Sequence, residues 1–310
     1  MKIAFRIDFG DGIGMGHLTR MTALADAFSQ YNAQSVFFNS SDEPVDYSGF
    51  DIVVLDSYML TSGYIDGLNK IAPFVVCYDD NALYEYSCDV VVNANLHAGT
   101  LDFKFGEKKP KLLLGGQYAL LRKEFWNAEP ITIKKKANRI LLTFGGTDIN
   151  DITETILTPL AELKEYEIIA VFGPVAKGYD RCKKRFQNSQ NVVIYKDPSS
   201  MAEVMRRCDI AVSAGGSALY ELAAIGMPAL IIPQADNQLR ACEFFTNEGF
   251  MKSIGWWEDI YTDVLVEETV LLASDFERRK RESRKMRKCV NPKGALLLAE
   301  TILNIKNETA

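Results

Sequence analysis

The sequence predicts an α/β fold made of two doubly wound domains in tandem. Apolar strand segments alternate with helices of amphipathic spacing, which is typical of a parallel sheet with helices on both faces. A strand, a glycine-rich turn and a helix open the chain, and the same pattern restarts after Lys134. The 310 residues suffice for two domains. We expect one domain at residues 1–130 and another at 137–310, with a linker near 128–137.

The first half begins with a strand at residues 1–8, followed by a glycine-rich turn and a helix. Leu18, Met21 and Phe28 repeat with helical spacing. The later apolar strands end in polar residues, and ligands of open α/β sheets bind at the carboxyl ends of strands. Acceptors and amides of this kind suit sugars. The polar strand ends are Asp8, Asp56, Tyr58, Asp79, Asp80, Asn93 and Asn95.

The second half repeats this alternation, with a strand and glycine turn expected at residues 138–148 and strands at 167–173, 191–197, 208–217 and 228–234. Between the last three lie the predicted helices SMAEVMRRC and ALYELAAIG. Gly226 followed by Pro228 is typical of a helix end.

Composition and charge argue against several classes of protein. The net charge is −6, and residues 1–130 contain 10 Lys and Arg against 17 Asp and Glu, so nucleic-acid binding is not expected. No apolar stretch approaches the roughly 18 residues of a membrane helix, so we expect no membrane insertion. Arg6 and Asp8 interrupt any signal peptide, and six cysteines without a CxxC pair suggest a cytoplasmic protein. The basic segment 278–288 is interpreted as a solvated helix face.

The first motif is GIGMGHLTR at residues 12–20. Gly12, Gly14 and Gly16 lie between the first strand and helix, where backbone can approach an anionic ligand. A dinucleotide fingerprint would place its third glycine at the position of His17, so NAD binding is not indicated. A histidine here can move a proton near neutral pH. The alternative is a histidine that caps or packs the helix.

Two further glycine-rich turns suit a phosphate. Residues 213–217 end a strand and begin a helix, and Glu221, one turn later, can accept hydrogen bonds from a ribose or serve as a helix surface charge. Gly145 and Gly146 end an earlier strand. This turn can bind a diphosphate, form a tight turn capped by Asp148, or do both. The adjacent acids Asp79 and Asp80 point to opposite faces of a strand, so no metal site is expected.

The segment MKIAFRIDFGDGIGMGHLTR resembles the start of the PseG family, the nucleotide-sugar hydrolases of pseudaminic acid biosynthesis, which are related to spore-coat polysaccharide proteins of the SpsG type. The resemblance continues, in the family's order and to about residue 250, through the segments VVLDSY, CYDDNA, VVNAN, GGQYALLRKEF, LLTFGGTD and SAGGSALYELAAIGMPALIIPQADNQ. It implies a GT-B fold, two Rossmann-like domains facing a central cleft, like that of the glycosyltransferase MurG.

The resemblance also implies an activity. The family removes UDP from UDP-2,4-diacetamido-2,4,6-trideoxy-β-L-altropyranose, a step linked to flagellin glycosylation and surface polysaccharides. It implies that His17 is catalytic and that the C-terminal domain holds UDP. No cofactor and no metal are implied, and we expect a monomer. The resemblance, together with the glycine-rich motifs and the strand ends, implies these substrate-binding or UDP-binding residues: Gly14, Gly16, Arg20, Asp56, Tyr58, Asp79, Asn95, Tyr118, Arg122, Gly145, Gly146, Thr147, Ser213, Gly215, Gly216, Ser217, Glu221, Asn237 and Gln238.

Three functions fit these features. The favoured one is hydrolysis, in which His17 activates water for inverting attack at the anomeric carbon. The second is a GT-B glycosyltransferase that passes a UDP-amino sugar to an acceptor, for which an acidic N-terminal half is less suited. The third is a sugar-nucleotide binding protein without activity.

Overall fold

The computed structural model describes residues 1–9, 15–39, 41–42 and 45–309. The chain forms two compact units, of which one comprises Met1–Trp126 and Lys293–Ala310 and the other Asn127–Pro292. Each unit contains a six-stranded sheet in which neighbouring strands pair in parallel.

The first unit begins with a central parallel sheet flanked by helices. Its strands in chain order are β1 (Lys2–Ile7), β2 (Gln34–Asn39), β3 (Ile52–Asp56), β4 (Val75–Tyr78), β5 (Glu85–Tyr86), β6 (Val90–Asn93), β7 (Lys104–Phe105) and β8 (Lys111–Leu114), and its first helices are α1 (Gly16–Ser29) and α2 (Ser62–Asn69). The sheet order is β2-β1-β3-β4-β6-β8, while β5 and β7 form a separate pair. Strands β3 and β4 are buried along their whole length, as their continuous apolar sequences predict.

The strand order of the first sheet reverses beside β1. Strand β2 lies on one side and β3 on the other, so the order reverses between β1 and β3. Helix α1 follows β1 and buries Met21, Leu24 and Phe28 against the sheet. Such a reversal leaves a crevice at the carboxyl ends of the two strands, where ligands of doubly wound sheets bind.

The second unit has the same architecture with the strand order β11-β10-β9-β12-β13-β14, which reverses between β9 and β12. Its strands are β9 (Arg139–Thr143), β10 (Glu167–Phe172), β11 (Val192–Lys196), β12 (Ile210–Ala214), β13 (Ala229–Ile232) and β14 (Lys252–Ser253). Its helices are α3 (Thr153–Leu160), α4 (Tyr179–Arg185), α5 (Met201–Arg206), α6 (Ala218–Ile225), α7 (Asp236–Asn247), α8 (Thr262–Ser274) and α9 (Phe276–Cys289).

The last helix, α10 (Gly294–Thr309), belongs to the first unit. Leu298 and Ile302 are fully buried in the same apolar cluster as Leu24 and Phe28 of α1. This differs from the domain boundaries expected from sequence, which assigned residues up to 310 to the second domain. The apolar face of α10 decides its place, because it packs on α1.

The segment at residues 128–137, interpreted as a linker, is held firmly within the second unit. The guanidinium of Arg279 on α9 donates to the carbonyl oxygens of Lys134 and Lys135 at 2.9 and 3.0 Å. Arg279 is fully buried, although the basic segment 278–288 was expected to form a solvated face. Other cations of that segment, such as Arg281, are exposed as expected.

The described residues can be searched for membrane-spanning helices, disulfide bonds and metal-binding clusters. No helix there combines the length and apolar character that a membrane span needs. All six cysteines are unpaired. No cluster of three or more His, Cys, Asp or Glu side chains within residues 1–9, 15–39, 41–42 and 45–309 is arranged to hold a metal ion.

Candidate functional site

His17 and Asp56 meet at the carboxyl edge of the first sheet. His17 lies in the first turn of α1, Asp56 ends β3, and Nδ1 of His17 is 2.8 Å from Oδ1 of Asp56. An ionised carboxylate only accepts hydrogen bonds, so Nδ1 carries the proton and donates it to Asp56. In the neutral imidazole Nε2 then keeps its lone pair, and no hydrogen-bond partner of Nε2 lies among the described residues. The arrangement can therefore accept a proton at Nε2.

Arg20 lies one turn along α1 and binds two carboxylates at once. Its Nε donates to Oδ2 of Asp56 at 2.6 Å, and its Nη2 donates to Oδ1 of the same residue. Its Nη1 donates to Oδ2 of Asp80 at 2.5 Å. Burial lowers the pKa of Arg20, but the charges of Asp56 and Asp80 outweigh it and hold that pKa well above the ordinary value. The guanidinium also lies over the Tyr78 ring, 4.4 Å from its centre.

Asp80 joins Arg20 to two other strand ends. Its Oδ2 accepts a hydrogen bond from Oη of Tyr58 at 3.2 Å, and its Oδ1 accepts one from Nδ2 of Asn95 at 2.9 Å. Burial raises the pKa of Asp80, but the charge of Arg20 and the hydrogen bonds from Arg20 and Asn95 lower it by more. The pKa of Asp80 therefore lies below its ordinary value. The Tyr58 ring meets the His17 ring edge-on at 4.8 Å between centres. The structure thus brings together His17, Arg20, Asp56, Tyr58 and Asn95.

Asp79 does not join this cluster, although the sequence placed it among the substrate-binding residues. Its side chain is buried, and its carboxylate accepts hydrogen bonds from the backbone N–H of Asn81 at 2.7 Å and of Leu83 at 2.8 Å, and from the hydroxyl of Tyr86. Asp79 therefore shapes the turn after β4. Its neighbour Asp80 takes the place in the polar cluster because adjacent side chains on an extended segment point to opposite faces.

The remaining expected residues of the first unit are spread around this cluster. Gly14 lies outside the described residues. Gly16 opens α1 and is exposed. Tyr118 and Arg122 follow β8 at the edge of the sheet, where Tyr118 packs against the core and Arg122 pairs with Glu124 at 3.1 Å. None of the hydrogen bonds of His17 reaches Tyr118 or Arg122.

In the second unit, the loop after β9 combines a glycine turn with a helix cap. Gly145 has a φ of +82°, a conformation that suits glycine. The Asp148 carboxylate accepts the backbone N–H of Ile152 at 3.1 Å and of Thr153 at 3.2 Å, where α3 begins. Burial raises the pKa of Asp148. Gly146 and Thr147, between the turn and the cap, are partly exposed, so this loop can still meet a ligand.

The loops after β12 and β13 are joined by Gln238 of α7. Its Oε1 accepts hydrogen bonds from the backbone N–H of Gly215 at 3.1 Å and of Gln234 at 2.9 Å. Asn150, beyond the β9 loop, donates to the carbonyl oxygen of Gln234 at 2.9 Å. Gly215 lies close to α7, since a Cβ there would be 2.2 Å from Sγ of Cys242. Three glycine-rich or polar loops are therefore held together at the strand-order reversal of this sheet.

The other expected residues of the second unit differ in accessibility. Gly216 is partly exposed, and Ser217 and Asn237 are exposed. Ser213 is fully buried inside β12, and its hydroxyl donates to the carbonyl of Ala214 at 3.2 Å, so its side chain is not placed to contact a ligand, contrary to the expectation from sequence. Glu221 is buried in α6.

Two residues of these sites escaped the sequence analysis. Asp80 was recognised as a strand end but not as a binding residue, because the sequence does not say which of two adjacent acids faces the crevice. Gly173, directly after β10, packs against the β9 loop, and a Cβ on it would lie 2.3 Å from Cα of Gly146. A single glycine after a strand carries no signal of such a contact.

Comparisons with known proteins agree with this architecture. Residues 139–289 match the family model of the glycosyltransferase family 28 C-terminal domain. The solved structure of MurG from Acinetobacter baumannii is similar with a TM-score of 0.67 at 15% identity, over 98% of this chain and 100% of that one. The predicted fold class is confirmed: the chain has an α/β, GT-B type fold with two Rossmann-like units.

Curated relatives share low identity with the chain. The uncharacterized protein MJ1062 of Methanocaldococcus jannaschii is 27% identical, over 78% of this chain and 57% of that protein. The spore coat polysaccharide biosynthesis protein SpsG of Bacillus subtilis is 22% identical over 96% of each. The UDP-2,4-diacetamido-2,4,6-trideoxy-beta-L-altropyranose hydrolase of Campylobacter jejuni is 21% identical, over 81% of this chain and 98% of that enzyme. These matches and the family model support a GT-B enzyme related to nucleotide-sugar metabolism.

Proposed function

We propose that the chain is a cytoplasmic, monomeric UDP-sugar hydrolase of pseudaminic acid biosynthesis. It would release UDP from UDP-2,4-diacetamido-2,4,6-trideoxy-β-L-altropyranose with inversion, using no metal or cofactor. The observation that carries the proposal is the hydrogen bond between Nδ1 of His17 and Asp56, which leaves Nε2 as a base. The similarity to the Campylobacter jejuni hydrolase over nearly its whole length supports the choice of substrate.

The chemistry needs one base and one stabilised leaving group. Nε2 of His17 removes a proton from water while the water oxygen bonds to the anomeric carbon. The bond from that carbon to the phosphate oxygen breaks, and its electron pair leaves with UDP. Asp56 stabilises the imidazolium formed at His17, and the proton then passes to solvent. General-base assistance of this kind contributes roughly 10²–10⁴-fold.

The second unit would bind UDP through its backbone. Gly145 and Gly146 lie in the loop after β9, and Gly216 and Ser217 precede α6. N–H groups at such turns stabilise the negative charge that grows on a departing diphosphate. Since Ser217 makes no side-chain cap bond to α6, the first N–H groups of that helix are not used by its hydroxyl.

Substitution of His17 tests the base. We expect His17→Asn and His17→Leu to lower turnover by at least about 100-fold while UDP affinity stays unchanged, because the imidazole acts on water. His97→Gln, which removes the other histidine of the chain, is the matched control and should keep turnover. Turnover within about threefold of the parent protein in His17→Leu would exclude this role.

A glycosyltransferase is the second candidate, favoured by the family 28 model over residues 139–289. Incubation of the protein with UDP-diacetamido sugars in heavy-oxygen water, without any acceptor, separates the two. A hydrolase releases free sugar carrying the label, and anomeric proton NMR reports the inversion. Label in UDP would instead place the cleavage at phosphorus, and release that depends on an added acceptor would identify a transferase. No turnover under any condition would leave a binding protein, and loss of turnover with EDTA would contradict metal-free catalysis.

A further inference from the structure

The side of Arg20 that is remote from His17 is anchored by Asp80. Nη1 of Arg20 donates to Oδ2 of Asp80 at 2.5 Å, and the Asp80 side chain is only 17% exposed. Tyr58 and Asn95 donate to the same carboxylate. Asp80 is thus held by groups from α1, from the segment after β3 and from the segment after β6. Such a carboxylate, fixed from three directions, is a rigid anchor for a guanidinium.

On the opposite side of Arg20, Nη2 lies within hydrogen-bond distance of two atoms, Oδ1 of Asp56 and Nδ1 of His17. Nη2 donates to Oδ1 of Asp56, yet it also lies 3.1 Å from Nδ1 of His17. A donor cannot share a hydrogen bond with a protonated nitrogen. If Nη2 turned to Nδ1, that nitrogen would have to offer its lone pair, and the imidazole proton would move to Nε2. The imidazole would then have no basic nitrogen directed away from Arg20.

We propose that Asp80 is a positioning residue which, by anchoring Nη1, keeps Nη2 of Arg20 on Asp56 and thereby selects the tautomer of His17 with Nε2 unprotonated. This role rests on the proposed function, because only a base at Nε2 gives the tautomer a catalytic consequence. The hydrogen bonds of the imidazole go to Asp56 and Arg20 and not to Asp80, and Asp80 does not, in this scheme, contact the reacting atoms. It acts through Arg20, whose charge-assisted bonds to Asp56 and Asp80 are the strong contacts of the cluster.

The test reads the tautomer directly by nitrogen-15 NMR of the full-length protein, labelled at histidine, at a pH where the imidazole is neutral. The chain has only two histidines, so His97→Gln assigns the signals. We expect the parent protein to hold the Nδ1–H form, and Asp80→Asn to shift the ratio toward the Nε2–H form by about tenfold. Turnover should fall in proportion to the fraction of protein that leaves the Nδ1–H form, at unchanged UDP affinity. The matched control is Asp66→Asn, which removes a carboxylate of α2 that pairs with Lys70, the residue after this helix.

A second substitution separates positioning from simple damage. In the double variant Asp80→Asn with Arg20→Met no guanidinium competes for Nδ1, so the Nδ1–H form should return, although the cluster has lost more contacts. A folded Asp80→Asn protein with an unchanged tautomer ratio would overturn the proposal, as would a parent protein in the Nε2–H form.

If Asp80→Asn does not fold, Tyr58→Phe and Asn95→Ala each remove one donor from Asp80 and should shift the ratio in the same direction by a smaller amount. An unchanged ratio in both would refute the role of Asp80. Absence of hydrolysis with every UDP-sugar would reject the proposed function, while the tautomer ratios would still decide whether Asp80 positions Arg20.

Discussion

Gly173 offers a test of the proposal that the loop after β9 binds UDP. A Cβ at residue 173 would lie 2.3 Å from both Cα and the carbonyl oxygen of Gly146. These are backbone atoms that no rotamer change can move away, and ordinary carbon contacts lie at about 3.5–4.0 Å. Gly173→Ala must therefore displace the loop at Gly146 by about 1 Å or more. Overpacking of this kind costs about 1–3 kcal/mol of folding free energy.

We expect Gly173→Ala to weaken UDP binding by about tenfold or more, because the displaced loop loses at least one hydrogen bond to a charged phosphate. Isothermal titration calorimetry measures the affinity, and urea unfolding measures the free energy of unfolding. Gly63→Ala is the matched control, since a Cβ on Gly63 in α2 meets no atom within 4 Å. It should stabilise the chain by about 0.5–1 kcal/mol and leave UDP binding unchanged. Parent-like UDP affinity in a destabilised Gly173→Ala protein would refute the assignment of this loop to UDP.

Three further substitutions test the electrostatic and hydrogen-bond reasoning. Asp56→Asn should lower turnover by about 10³-fold at unchanged UDP affinity, because an amide no longer holds the Nδ1–H form; steady-state kinetics that show less than a tenfold loss would contradict this. Asp80 has a pKa below its ordinary value in the folded chain, so its stabilising effect is present above about pH 4 and is lost as the pH falls through the lowered pKa. The difference in unfolding free energy between the parent protein and Asp80→Asn should therefore become smaller on acidification. A difference that does not change with pH would contradict this prediction. Arg279→Lys should cost about 1–3 kcal/mol in urea unfolding, because an ammonium group does not reproduce the forked contact with two carbonyls, whereas the exposed control Arg281→Lys should change stability by less than about 0.5 kcal/mol.

The sequence predicted the fold class well because the signal is repeated along the chain. Apolar strands such as β3 are buried on both faces, and polar residues at their ends lie where ligands bind parallel sheets. The location of Asp56 and Tyr58 beside His17 follows from this rule. The position of α10 could not be predicted in the same way, because an amphipathic helix can pack on either unit. Only tertiary contacts determine which unit it joins.

The details of the site were less predictable for a geometric reason. Asp79 and Asp80 are chemically identical neighbours, and the register of the segment after β4 decides which of them meets Arg20. The glycine-rich motif predicts Ser213 to be a phosphate ligand. Inside β12, however, its hydroxyl donates to the backbone carbonyl of Ala214. Close approaches such as that of Gly173 to Gly146 involve residues distant in sequence, so local patterns do not reveal them.

The polypeptide leaves the first unit after Trp126 and re-enters it at Lys293, which makes the second unit an insertion within the first. A fragment that stops at residue 126 would lose Leu298 and Ile302 from its core, about 3–6 kcal/mol of apolar burial. Since a domain is typically stable by only about 5–15 kcal/mol, such a fragment would be prone to unfold. Proteolysis at the far C-terminal end would therefore damage the half of the chain that carries His17, whereas residues 127–292 would keep their own sheet intact.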